Sequence, residues 1–240
     1  MSILPEKMTT VARRIQDFSM LLYGPPKIGK STFASRMEVE GYKYARPLFL
    51  ATEPGLRHLD VYKSQINNWP RFKKVVQELE AHKKWYGVKI VDTVDVLFKQ
   101  CISYICEKRH FEHPSDEDWG KGYELILDEF AKWVLRLIYL PGGTVFISHS
   151  QDREFKSRIQ KITKTMPTLT NSCRKVIIPV VDIIAYCGFD IIEEGDETVE
   201  KRVMIFEPSE TLEAGDRTGR MPPKIPLSYN AFKRAFYGKK

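Results

Sequence analysis

The apolar run Ser19-Met-Leu-Leu-Tyr23 stops at Gly24-Pro25-Pro26, and a helical pattern resumes at Lys30. A short buried strand, a tight turn and a helix are the elements this order predicts. The turn itself reads Gly24-Pro-Pro-Lys-Ile-Gly29-Lys30-Ser31, which fits G-x-x-x-x-G-K-[ST] at every fixed position. Glycines let a backbone turn sharply and come close to a bound anion. Consecutive N–H groups and the start of the helix then face that anion. Lys30 is predicted to reach the β and γ phosphates of ATP, and the Ser31 hydroxyl to ligate Mg²⁺. The predicted nucleotide-binding set is therefore Gly24, Pro25, Pro26, Lys27, Ile28, Gly29, Lys30, Ser31 and Thr32. The alternative is a glycine-rich turn with an exposed lysine.

Three further apolar runs follow in the first 150 residues: Pro47-Leu-Phe-Leu-Ala51, Val88-Lys-Ile-Val-Asp92 and Thr144-Val-Phe-Ile-Ser148. Helical patterns alternate with them at 30–40, 71–85, 94–109 and 123–140. Short apolar strands separated by helices predict a parallel sheet covered on both faces. Residues 110–122 are polar and predict an exposed loop. Residues 150–170 are charged with weak period-two character and predict a mobile hairpin or loop. Beyond them a short helix interrupted at Pro179, strands over 182–192 and 199–207, and a final helix over 228–237 are expected. The short links between these later strands predict antiparallel additions at one sheet edge.

Carboxylates at strand ends complete the candidate site. Asp92 ends its strand and is predicted to hold Mg²⁺; capping of the next helix is the alternative. Glu53 follows the second strand, at the sheet edge where ligands of open α/β sheets bind. It reads either as the base for an attacking water or as a solvated loop carboxylate. At the fourth strand end, Ser148-His149-Ser150, His149 is the candidate contact to the γ phosphate.

Charge is unevenly spread. The 240 residues carry a formal net charge of +7. Residues 151–175 hold seven Lys/Arg and two acids. Phe155 sits among Arg153, Lys156, Arg158, Lys161 and Lys164, so one aromatic lies within a cationic tract. Single-strand binding combines such cations with stacked bases; a solvated charged hairpin is the alternative. The four cysteines include no C-x-x-C pair, so reduced thiols are expected. No apolar run approaches the ~18 residues of a membrane span. The first residues, MSILPEKMTTVARR, lack an apolar h-region, which predicts a cytoplasmic protein with no membrane partner.

The segments GPPKIGKST, FLATEPG, VKIVDTVD, FISHS and AGDRTGRMPPKIPL together resemble phage-encoded RecA-like ATPases of the Sak type, which are single-strand annealing proteins. The resemblance runs from about Ser19 to Phe236. It implies an α/β RecA-like P-loop core: a mostly parallel sheet, helices on both faces and antiparallel strands added at one edge. It implies one ATPase domain over 1–240, with an N-terminal extension at 1–18, a DNA-binding loop at 151–169 and a C-terminal tail at 208–240. In such proteins the glutamate after the second strand is the catalytic base, here Glu53. The polar residue after the fourth strand is the γ-phosphate sensor, here Ser148 or His149. The tail would supply an arginine finger to a neighbouring subunit, Arg217 first and Arg220 second, in a ring or filament of identical chains.

The function so implied is hydrolysis of Mg-ATP, stimulated by single-stranded DNA. The setting would be phage DNA recombination, annealing or repair in a bacterial host cytoplasm, with a single-strand-binding protein as a further partner. Two other readings fit a P-loop: a small-molecule or nucleotide kinase with 110–122 as its lid, and an assembly or helicase-loading module with little turnover.

Overall fold

The computed structural model describes residues 8–116, 120–156, 161–194 and 197–238. In chain order the elements are β1 (Ser19–Gly24), α1 (Lys30–Ser35), β2 (Leu48–Ala51), β3 (Tyr62–Gln65), α2 (Trp69–Ala81), β4 (Val88–Asp92), α3 (Val94–Arg109) and α4 (Lys121–Ile138). They continue with β5 (Gly143–Lys156), β6 (Lys161–Pro167), α5 (Asn171–Val180), β7 (Ile183–Glu194), β8 (Glu197–Ile205), β9 (Gly215–Asp216), β10 (Lys224–Pro226) and α6 (Tyr229–Tyr237).

The main sheet runs β10-β8-β7-β1-β5-β4-β2-β3. The six strands from β7 to β3 are mutually parallel, while β8 runs antiparallel to β7 and to β10. Two separate cores explain why the central strands are apolar throughout. Leu21, Leu50, Val91 and Phe146 pack against α2, α3, α4 and α5. Their strand neighbours Met20, Leu22, Phe49, Ile90 and Ile147 pack against α1 and α6 on the opposite face. Successive strand side chains point to opposite faces, so burial on both sides leaves no polar alternation. This is the expected RecA-like P-loop fold, antiparallel edge included. Among the described residues no helix is long and apolar enough to cross a membrane.

Several expectations need correction. The helix predicted over 30–40 stops at Ser35. Met37 and Val39 are buried while Glu38 and Glu40 are exposed, a period of two that suits extended chain and overrides the helical pattern. β3 carries no apolar signal because it is an exposed edge strand, defined by its backbone pairing with β2. The helix predicted from Arg71 starts at Trp69, because the Asn68 side chain accepts the Arg71 N–H at 2.9 Å as its N-cap. Pro179 lies inside the last turn of α5 and does not interrupt it.

Over 150–170 the hairpin alternative holds: β5 continues past Ser148 and pairs with β6 from Ser150↔Pro167 to Lys156↔Lys161. Alternation sorts its side chains. Gln151, Arg153 and Phe155 share a face with Met166, Lys164 and Ile162, and Asp152, Glu154 and Lys156 face the other way.

Candidate nucleotide site

Parallel pairing brings the candidate residues to one sheet edge. In register, Gly24 of β1 lies beside His149 of β5, Ile147 beside Asp92 of β4, and Asp92 beside Ala51 of β2. Thr52 and Glu53 therefore follow β2 next to the end of β4. A cavity of about 310 Å³ opens there, lined among others by Lys30, Ser31, Glu53, Asp92 and His149.

The loop after β1 is shaped by its glycines. Gly24 has φ of +156°, and a Cβ on it would stand 2.0 Å from the Cys187 carbonyl oxygen of β7, so only glycine fits. Gly29 has φ of +119° and Lys27 of +64°. Lys30 is 5% exposed, and its Nζ donates to the carbonyls of Gly24 and Pro25 at 2.8 Å each. Burial pushes its pKa down, opposed by the Cys187 thiol, Asp92, Asp95 and Glu53. The ammonium thus curls over its own loop, ready to exchange carbonyl partners for phosphate oxygens. Because α1 has only six residues, neutralisation of an anion rests on Lys30 and the loop amides more than on a helix dipole.

Ser31 Oγ donates to Asp92 Oδ2 at 2.7 Å. Burial pushes the Asp92 carboxyl up, while this hydrogen bond, Lys30 and His149 pull it down. A hydroxyl beside a carboxylate, both at the mouth of an anion-binding loop, is a donor set that suits Mg²⁺.

Glu53 is held by a residue that sequence reasoning missed. Thr93 Oγ1 donates to Glu53 Oε1 at 2.9 Å. Thr93 is fixed in turn by Thr52, whose Oγ1 accepts the Thr93 N–H at 2.8 Å and donates to the Thr93 carbonyl at 2.9 Å. The available signal was a threonine directly after each of two strands, in Ala51-Thr52-Glu53 and Asp92-Thr93. Glu53 Oε2 lies 4.0 Å from His149 Nε2, and both side chains are partly open to solvent. His149 Nδ1 is buried and has no hydrogen-bond partner among the described residues.

Ser148 and His149 separate here. Ser148 is fully buried and its Oγ donates to Asp95 Oδ1 at 3.1 Å, away from the cavity that His149 lines. Thr168 Oγ1 donates to the same Asp95 oxygen at 2.7 Å, and Thr168 N–H to the His149 carbonyl at 3.0 Å. Asp95 therefore ties the root of the β5–β6 hairpin to the strand end at the site.

The tail arginines lie elsewhere. Arg217 sits beside Asp182, whose side chain accepts the N–H of Ser19 at the far end of β1 from the phosphate loop. Its guanidinium donates to the Pro179 carbonyl at 3.0 Å, and its side chain is 61% exposed. Arg220 donates to the Ala12 and Arg13 carbonyls and stacks over Phe236, so it packs the N-terminal segment. Among the described residues, the partners of both arginines lie outside the phosphate loop.

Of the candidate DNA contacts, Arg153, Phe155 and Lys164 share one face of the hairpin, beside a cavity of about 540 Å³ shared with Asn171 and Arg174. Lys156 and Lys161 pair on the opposite face. Arg158 lies outside the described residues.

A family model described as an AAA domain matches residues 16–218. The chain belongs to the AAA domain family. As an AAA domain it is a P-loop ATPase and binds nucleotide, and the loop, Lys30 and the strand-end carboxylates all fall within the matched span. The AAA domain is similar in fold to the crystal structure of flagellar accessory protein FlaH from Methanocaldococcus jannaschii. That pair is 12% identical with a TM-score of 0.47, over 88% of this chain and 84% of the other. No curated protein sequence matches the chain.

Proposed function

We propose that this AAA domain hydrolyses Mg-ATP with Glu53 as the base, and that it binds single-stranded DNA on its β5–β6 hairpin. The observation carrying the first part is the Thr93–Glu53 hydrogen bond of 2.9 Å, which aims a carboxylate into the cavity that holds Lys30 and Asp92. Lys30 leaves its two loop carbonyls and neutralises the β and γ phosphates. Ser31 and Asp92 would hold Mg²⁺, which would supply further neutralisation of phosphate charge. Glu53 takes a proton from a water oriented toward the γ phosphorus. The water oxygen bonds to phosphorus, the bond to the bridging oxygen breaks, and ADP leaves with that electron pair. His149, 4.0 Å from Glu53, reports the γ phosphate to the hairpin through its carbonyl bond to Thr168.

The DNA reading is supported by Phe155, 48% exposed, on the same hairpin face as Arg153 and Lys164. A ring for stacking beside two cations for phosphates is the combination that binds single strands without sequence preference. The resemblance to Sak-type ATPases supports a task in phage recombination, annealing or repair. Arg217 is exposed at the sheet end opposite its own loop, which favours a finger acting on a neighbouring copy stacked head to tail in a ring or filament.

The deciding experiment is turnover by Glu53→Gln. Hydrolysis should fall by roughly 10²–10⁴-fold with ATP binding retained. Turnover at the parent rate would remove Glu53 from the mechanism. Transfer of label to a nucleoside acceptor, with little free phosphate, would replace hydrolysis by a kinase reaction.

A further inference from the structure

Two cavities meet at the phosphate loop. Gly29 and Thr32 line both the cavity described above and a second one of about 480 Å³ on their other side. The far wall of the second is C-terminal: Ser228, Tyr229, Asn230 and Lys233 face Arg36 beyond the end of α1. These wall residues lie past the AAA domain match, which ends at 218.

The wall is packed onto the loop. Arg202 Nη1 donates to the Ile28 carbonyl at 3.3 Å, and the Arg202 carbonyl accepts the Leu227 N–H at 2.9 Å. Phe33 of α1 is buried and meets the rings of Tyr229 and Phe232 edge-on at 5.8 and 5.6 Å. Loop and tail therefore form one unit, with Lys233 Nζ 5.8 Å from the Tyr229 ring centre.

We propose that this second cavity takes the nucleoside end of the triphosphate, with Asn230 reading an adenine base. The inference rests on the ATP reading above and extends it to which nucleotide is held and by what. A molecule with phosphates on the loop can continue past Gly29 and Thr32 into the second cavity, which borders both. The volume falls within the range of small-molecule sites. A nucleoside offers a flat apolar face, two hydroxyls and a base edge of donors and acceptors. The cavity offers the Tyr229 ring, the Thr32 and Ser228 hydroxyls and one carboxamide, beside the charged groups of Arg36, Glu38, Arg202 and Lys233. An Asn carboxamide matches the adjacent donor and acceptor of adenine N6 and N7. Base recognition then falls to a C-terminal helix held by Phe33, so nucleotide binding and the docking of α6 stabilise one another.

The test compares ATP with inorganic tripolyphosphate, which fills the phosphate site and has no nucleoside. Binding to the full chain is measured by calorimetry in the presence of Mg²⁺. The exposed Asn230 is changed to Ala, and separately to Trp to fill the cavity. Each variant should lose about tenfold or more in ATP affinity and keep tripolyphosphate affinity within about twofold. The preference of the wild type for ATP over GTP should shrink toward unity in Asn230→Ala. Unchanged ATP affinity in both variants would overturn the inference and leave the phosphate site standing. Absence of tripolyphosphate binding to the wild type would instead remove the phosphate site, and this inference with it.

Discussion

Ser31 Oγ and Asp92 Oδ2 share a hydrogen bond of 2.7 Å, although β1, which leads into the loop before Ser31, and β4, which ends at Asp92, are separated in the sheet by β5. The intervening strand sets the spacing, so the hydroxyl of the phosphate loop meets the carboxylate of β4 across it. Asp92→Asn keeps the shape and an acceptor but loses the charge a hard cation requires. The Mg²⁺ concentration for half-maximal turnover should rise by roughly 10–100-fold, the scale seen when metal-site partners are removed. An unchanged Mg²⁺ titration would take Asp92 out of the metal site.

The hairpin predicts a difference between its two faces. Arg153→Ala with Lys164→Ala should weaken single-strand binding and flatten its salt dependence. The slope of log affinity against log salt should drop by about 1.4, near 0.7 for each phosphate that is no longer neutralised. Phe155→Ala should cost about 1–3 kcal/mol of binding with the salt slope unchanged. Filter binding or anisotropy across a salt series checks both. Equal affinity and slope in the double variant would reject this face.

Arg217 and Arg220 should part company. Arg217→Ala removes an exposed guanidinium and should lower turnover with little change in melting temperature. Mixing it with Lys30→Ala protomers should restore part of the activity, because each lacks a part the other supplies. Arg220→Ala loses two carbonyl bonds and the stack on Phe236, so it should lower stability by about 1–2 kcal/mol. Absence of recovery at every mixing ratio would refute a finger acting between copies.

Lys89 provides a pH test. It is buried in β4, with Nζ donating to the carbonyls of Leu140, Pro141 and Gly142 at 3.3, 3.0 and 3.1 Å. Burial pushes its pKa down to about 7. Above that pH the unfolded chain binds the proton and the folded chain does not, so stability rises with pH. Below it both states are protonated and the dependence vanishes. Relative to Lys89→Met, the wild type should gain up to about 1.4 kcal/mol per pH unit between ~7 and ~10. Denaturant unfolding at several pH values measures this difference, and a flat difference would show that the three carbonyls hold the lysine charged.

The phosphate loop, the four apolar strands around it and the placing of Asp92 at a strand end were legible in the residues themselves, whereas for Glu53 they left a base and a solvated loop carboxylate open. A loop that must approach an anion needs glycine at fixed places, and a strand buried on both faces must be apolar throughout. Those demands are local, so Gly24, Lys30, Ser31 and Asp92 could be read in order along the chain. Other features depend on partners far away in sequence. β3 is polar and exists through its hydrogen bonds to β2. The helix after Lys30 ends at Ser35 because Met37 and Val39 are drawn into a core they share with Phe49 and Phe232. Thr93 orients Glu53 only because β2 and β4 are neighbours, and Ser148 turns from the cavity because Asp95 and Thr168 bind it on the other side. Chemistry carried by one short segment could be read from its residue types. Which groups point at one another was decided by strand order, because pairing distant segments is the step no local pattern encodes.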